Sequence, residues 1–134
     1  MNELYDIVYE MLKKQVKEKS IFNPTVVKKV NDKLFPIIVV TAKDVPITNL
    51  GYFEQISLVT FVIEINAVDL VKNGNTYSSM QIASELHDII EEYLSIKCCM
   101  EKTFDESTPN VDENVYRILM RFTKKYNKTR KILY

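Results

Sequence analysis

The sequence predicts an α+β domain, a mainly antiparallel sheet with two amphipathic helices packed on one face. Two observations carry this. Apolar residues recur at helical spacing in two stretches, near residues 2–19 and 77–95. Between and after them lie runs rich in β-branched and aromatic residues, so the order is helix, two or three strands, helix, two or three strands. Too few helices separate the strands for a wholly parallel arrangement. The 134 residues suit a single domain, 1–134, and 46% hydrophobic with 27% charged residues is the composition of an ordinary globular unit.

Residues 2–19 place Leu4, Ile7, Val8, Met11, Leu12 and Val16 on one helical face. Glu3 and Asp6 stand near its start and Lys13, Lys14, Lys17 and Lys19 near its end, an order that suits the helix dipole. Each aliphatic buried on such a face is worth roughly 1.5–3 kcal/mol before entropy, so the helix is expected to dock on the sheet. Asn23-Pro24 ends the segment. Val26–Val30 is a short strand candidate. Leu34–Ala42 ("LFPIIVVTA") is a longer one, with Pro36 at its beginning or on an edge because proline cannot donate to a ladder. "PITNLGY" (46–52) carries turn chemistry around Asn49 and Gly51.

Phe53–Val68 is a long strand whose centre, "ISLVTFVIEI", is apolar on both faces. It is expected to be covered by helix on one side and by something else on the other. "KNGNT" (72–76) is a turn, and Thr76 or Ser78 can cap the helix that follows. That helix, about Tyr77–Ser95, gathers Ile82, Ala83, Leu86, Ile89, Ile90 and Tyr93 on its apolar face, and its other side carries Glu85, Asp88, Glu91 and Glu92. Residues 97–104 form a further strand candidate, "DESTPNVDEN" (105–114) a polar loop, Val115–Thr123 a strand, and "KILY" (131–134) a last strand pairing back.

The N-terminal stretch has acidic residues where a secretory signal is basic, and no apolar run approaches the roughly 20 residues that span a membrane. The expectation is a soluble protein made in the cytoplasm. Cys98 and Cys99 are adjacent, poor partners for a disulfide with each other and too few for a zinc site, so they read as strand thiols in a reducing compartment.

Net charge is zero but unevenly spread. Val115–Tyr134 holds seven basic residues, Arg117, Arg121, Lys124, Lys125, Lys128, Arg130 and Lys131, and no acid. The remaining residues hold 11 Lys and Arg against 18 Asp and Glu, a net of −7. Such a split suggests an interacting segment or a bipolar surface.

No catalytic constellation is visible. The single histidine, His87, is expected on the polar surface of the second helix, with no nucleophile or triad beside it. Gly51 and Gly74 stand alone, so no phosphate loop exists. Glu85, Asp88 and Glu92 share a helix side, which reads as a solvated or partner-facing surface rather than a metal site. No cofactor or metal is expected. The basic segment could contact phosphates, but the −7 remainder opposes docking on a polyanion and no nucleic-acid-binding motif appears. Two readings of the charge split stay open: association of copies head to tail, or a basic tail folded onto its own acidic helix.

Three stretches, "FPIIVV" (35–40), "SSMQIASELHDIIEEYLS" (78–95) and "PNVDENVYRILMRF" (109–122), carry a resemblance over most of the chain. It resembles the tail terminator (tail completion) proteins of long-tailed phages and phage-like bacteriocin particles. The resemblance implies an α+β subunit that forms a hexameric ring, caps the tail tube, stops its polymerisation and presents the neck surface for head joining. It implies as partners further copies of itself, the tail tube protein, the sheath in contractile tails and the head-tail connector, with DNA only passing through the lumen and no membrane. The location implied is the neck end of a virion or phage-like particle, reached from the host cytoplasm. From the charge pattern, Arg117, Arg121, Lys124, Lys125, Arg130 and Lys131 are candidate subunit-interface or lumen residues, and Glu85, Asp88, Glu91 and Glu92 the acidic partner face. A head-completion or connector ring protein is the nearest alternative, and a nucleic-acid-binding adaptor the alternative of another class.

Overall fold

The computed structural model describes residues 2–29, 35–46, 56–109, 115–127 and 132–133. Helix α1 (Asn2–Lys19) comes first, followed by strands β1 (Thr25–Val27), β2 (Ile37–Pro46) and β3 (Ile56–Ala67). A small hairpin of β4 (Leu70–Lys72) and β5 (Asn75–Tyr77) leads into helix α2 (Ser79–Glu91), which continues as a π-helical turn over Glu92–Lys97. Strands β6 (Glu101–Pro109), β7 (Tyr116–Asn127) and β8 (Ile132–Leu133) complete the chain. The main sheet has the order β1-β2-β3-β7-β6, with β8 added to β7. Only the β1–β2 pair is parallel. The expected α+β class, with a mainly antiparallel sheet, is what forms.

One face of the sheet makes the core. Val59, Phe61, Ile63, Ile65 and Ala67 of β3 and Ile118, Met120 and Phe122 of β7 alternate onto it, joined by Ile38 and Val40 of β2. Leu4, Val8, Leu12 and Val16 of α1 and Ile82, Ala83, Leu86 and Ile90 of α2 close over them, so both helices lie on this side. The helical expectation included Ile7 and Met11 on the buried face of α1, and here the structure differs: they are 50% and 52% exposed. Tyr5 and Tyr9 pack inward instead. Their hydroxyls donate to the carbonyl oxygens of Val40 and, at 2.7 Å, Val26, and this tilts the inward arc of α1 away from Ile7 and Met11.

Local chemistry sets the boundaries. Ser78 caps α2: its Oγ accepts from the Gln81 amide at 3.2 Å, and Gln81 Oε1 accepts from the Ser78 amide at 2.9 Å, a reciprocal capping box. The "KNGNT" turn is the tip of the β4–β5 hairpin, with Asn73 and Gly74 at φ 52° and 80°, the left-handed pair that a two-residue hairpin turn requires. Pro36 stands immediately before β2, and its carbonyl accepts from Thr25 N at 2.9 Å. Two expectations need correction at the β6 end. Cys98 and Cys99 lie in the turn after the π-helical segment, not in a strand, and both are free thiols. The polar stretch from Asp105 to Pro109 is strand, because β7 offers it a ladder that composition alone does not reveal. Residues 110–114 and, beyond Pro46, the expected turn at 46–52 lie outside the described residues.

Candidate functional site

Two surfaces gather the chemistry, one on each side of the sheet. The first is the face away from the helices. Strand alternation sends Arg117, Leu119, Arg121 and Thr123 of β7 there, opposite in phase to the buried Ile118, Met120 and Phe122. Beside them lie Leu58, Thr60, Val62, Glu64 and Asn66 of β3, all half-buried. The long two-faced strand is thus covered by helices on one side only, and its second face keeps Leu58 and Val62 partly open to solvent.

The predicted basic residues divide. Arg117 Nη1 lies 3.2 Å from Glu64 Oε1 on the neighbouring strand, a diagonal cross-strand pair. Arg121 sets its guanidinium 4.8 Å from the ring centroid of Phe104 in β6, an exposed cation–π contact. Lys125 is exposed on the same face. Lys124 points to the helix side, where Nζ donates to the Cys99 carbonyl at 2.9 Å. Arg130 and Lys131, with Lys128, lie outside the described residues.

Among the described residues, no basic side chain of β7 pairs with a carboxylate of α2. Arg117 and Arg121 stand on the opposite side of the sheet from Glu85, Asp88, Glu91 and Glu92. The alternative of a basic segment folded onto its own acidic helix fails for these residues.

The second surface lies between α2 and β6. It centres on His87, which is no loose surface histidine: its side chain is 18% exposed. Nε2 is 2.7 Å from Asp105 Oδ2, while Nδ1 is 3.1 Å from Asp88 Oδ1 and 3.7 Å from Glu91 Oε2. Lys102 Nζ bridges Glu91 Oε1 at 2.5 Å and Asp105 Oδ2 at 2.9 Å. Lys102 and Asp105 are three apart, so plain alternation would put them on opposite faces. A β-bulge at Thr103 absorbs one residue, Lys102 opposing Phe122 and Phe104 opposing Arg121, and returns both charges to the helix side. Sequence spacing carries no sign of that bulge, which is why the cluster is missed there.

Burial pulls the His87 imidazole down, but the hydrogen bonds to Asp105 and Asp88 and the charges of Asp105 and Glu91 outweigh it and hold its pKa above the ordinary value. Burial likewise acts to raise Asp105, yet its Lys102 and His87 partners bring it below the usual carboxylate range. A groove of about 320 Å³ opens beside the cluster, lined by Ser84, His87, Asp88, Asp105 and Ser107 among others. No described hydroxyl or thiol hydrogen-bonds to His87, whose two nitrogens both face carboxylates, so this is not a nucleophile–base pair. Burial raises the Cys98 thiol, the opposite of an activated nucleophile.

The rest of the acidic side is partly committed. Glu92 lies 3.8 Å from Lys19, and Glu85 Oε1 is buried with no hydrogen-bond partner among the described residues. No described helix is long and apolar enough to cross a membrane. Comparison with protein-family models and with curated proteins finds no match to this chain.

Proposed function

We propose that this chain is a non-enzymatic structural subunit that joins copies of itself into a ring, and that the ring closes the end of a phage-type tail tube and presents the neck surface for head joining. The observation that carries the reading is the second face of the sheet. There Leu58, Val62, Leu119 and Phe104 stand half-buried, bordered by Arg117, Arg121 and Lys125. An apolar strip rimmed by arginine is the composition of a protein-contact surface, in which apolar area supplies affinity and rim charge sets orientation. The acidic α2 lies across the sheet, so a neighbour's α2 can meet this face in a head-to-tail contact, the kind that closes into rings. The resemblance of "FPIIVV", "SSMQIASELHDIIEEYLS" and "PNVDENVYRILMRF" to tail terminators supplies the setting.

The test is assembly. Light scattering on the purified chain, alone and with tail tubes, should find a discrete oligomer near six subunits or capture at tube ends. Arg121→Glu with Lys125→Glu should weaken both while the circular dichroism spectrum stays unchanged. A chain that remains monomeric and never binds tube ends, or a double variant that assembles normally, refutes the proposal.

A further inference from the structure

We propose that His87, Asp88 and Glu91 form a binding site for one divalent transition-metal ion of the zinc type, with water completing the shell and Asp105 holding the imidazole from behind. The site does not rest on the assembly reading, although Asp88 and Glu91 also belong to the acidic side of α2 that the assembly reading offers to a neighbour.

Three features converge on it. The first is geometric. In a tetrahedral shell with ligands at about 2.0–2.1 Å, neighbouring ligand atoms stand about 3.3–3.4 Å apart. The His87 Nδ1 edges to Asp88 Oδ1 and Glu91 Oε2, 3.1 and 3.7 Å, bracket that value. The third edge is within 4.8 Å, and the exposed Asp88 side chain closes it by rotation. His87 and Glu91 are one helical turn apart, so backbone hydrogen bonding fixes their spacing before any ion arrives.

The second is the carboxylate behind the ring. Asp105 Oδ2 accepts from Nε2–H at 2.7 Å, which turns Nδ1 toward Asp88 and Glu91. Nδ1 faces two carboxylate oxygens, which hold its proton in the free protein and would share a cation that displaces that proton. A carboxylate behind the ring, fixing its orientation and raising its basicity, is the usual outer partner of a metal-bound histidine.

The third is charge. Three carboxylates, Asp88, Glu91 and Asp105, stand against the single ammonium of Lys102. The cluster is two negative charges in excess with neutral imidazole, and a divalent ion removes both. Imidazole plus carboxylate oxygen is a donor set for zinc-like ions rather than for magnesium or calcium. Lys102 keeps its place, because it uses Glu91 Oε1 and leaves Oε2 free. The groove beside the cluster gives the ion and its water a way in. Bound there, the ion would tie α2 to β6 through the His87–Asp105 hydrogen bond.

The chain has one histidine, which makes the test direct. Untagged protein stripped with a chelator is titrated with Zn²⁺ by calorimetry and by ¹⁵N NMR of the imidazole. One ion per chain, a shift centred on Nδ1 and loss of binding in His87→Gln are expected. Asp105→Asn should weaken binding about 10–100-fold. Zn²⁺ should raise the melting temperature of the natural chain but not of His87→Gln. Imidazole signals that do not respond to excess Zn²⁺ overturn the proposal, including the case in which the ion binds only Cys98 and Cys99. The ring signals report on the natural chain, so the test stands even if a variant fails to fold.

Discussion

Leu119 and Met120 are consecutive residues of β7 with opposite fates, and truncating each to alanine tests the two-faced sheet directly. Met120 is fully buried against the helices, where removing a long apolar side chain costs about 2–5 kcal/mol through lost transfer energy and a residual cavity. Leu119 is half-buried on the other face. Full burial of a leucine is worth about 1.5–3 kcal/mol, so half of it forfeits about 1 kcal/mol, and water fills the space with no cavity left behind. A chain of this size shifts its melting temperature by about 4 °C per kcal/mol. Met120→Ala should therefore lower it by about 8–20 °C and Leu119→Ala by about 4 °C, both measured at a dilution where the chain is monomeric. Self-association, followed by light scattering at higher concentration, should reverse the ranking: Leu119→Ala weakens it and the folded fraction of Met120→Ala does not. Equal destabilisation by the two changes would refute the face assignment. A fully assembling Leu119→Ala would refute the role given to that face.

Other expectations follow from single contacts. Arg117→Glu places a carboxylate beside Glu64; it should destabilise the monomer, and the swap Arg117→Glu with Glu64→Arg should recover most of the loss, about 1 kcal/mol for a partly exposed pair, in urea denaturation. Ser78→Ala removes the capping box and should cost about 0.5–2 kcal/mol, read from the same denaturation curves. Tyr93 is pushed up to about 12, chiefly by burial and further by Cys98, so the folded state holds that proton more tightly than the unfolded chain does. This component of stability is whole below pH 10 and is lost as pH climbs toward 12; Tyr93→Phe, with no phenol to ionise, should flatten that part of the alkaline unfolding profile.

How much was legible in the sequence depended on whether a feature was periodic. Both helices and the long strands announce themselves by spacing, because burial selects apolar residues at fixed intervals. Ile7 and Met11 mislead because a helical period cannot say which flank of the stripe turns inward, and two tyrosines that reach backbone carbonyls settled it for α1. The opposed positions of the β7 arginines and the α2 carboxylates follow from alternation once the strand phase is known. The His87 cluster does not, since it depends on a one-residue irregularity in β6 that leaves no compositional trace.

That irregularity has a further consequence at the rim of the sheet. An open strand edge is a template on which another chain can continue the ladder indefinitely. Among the described residues, the sheet ends on three-residue β1 at one side and on β6, followed along β7 by two-residue β8, at the other. β1 pairs with only Ile37–Val39 of the ten-residue β2. The bulge at Thr103 breaks the even spacing of amides and carbonyls along β6, and Glu101, Lys102, Asp105 and Glu106 set charge on either side of it. An incoming strand would have to match an uneven ladder and bury those charges. Continuation of the ladder is thus discouraged at the β6 rim.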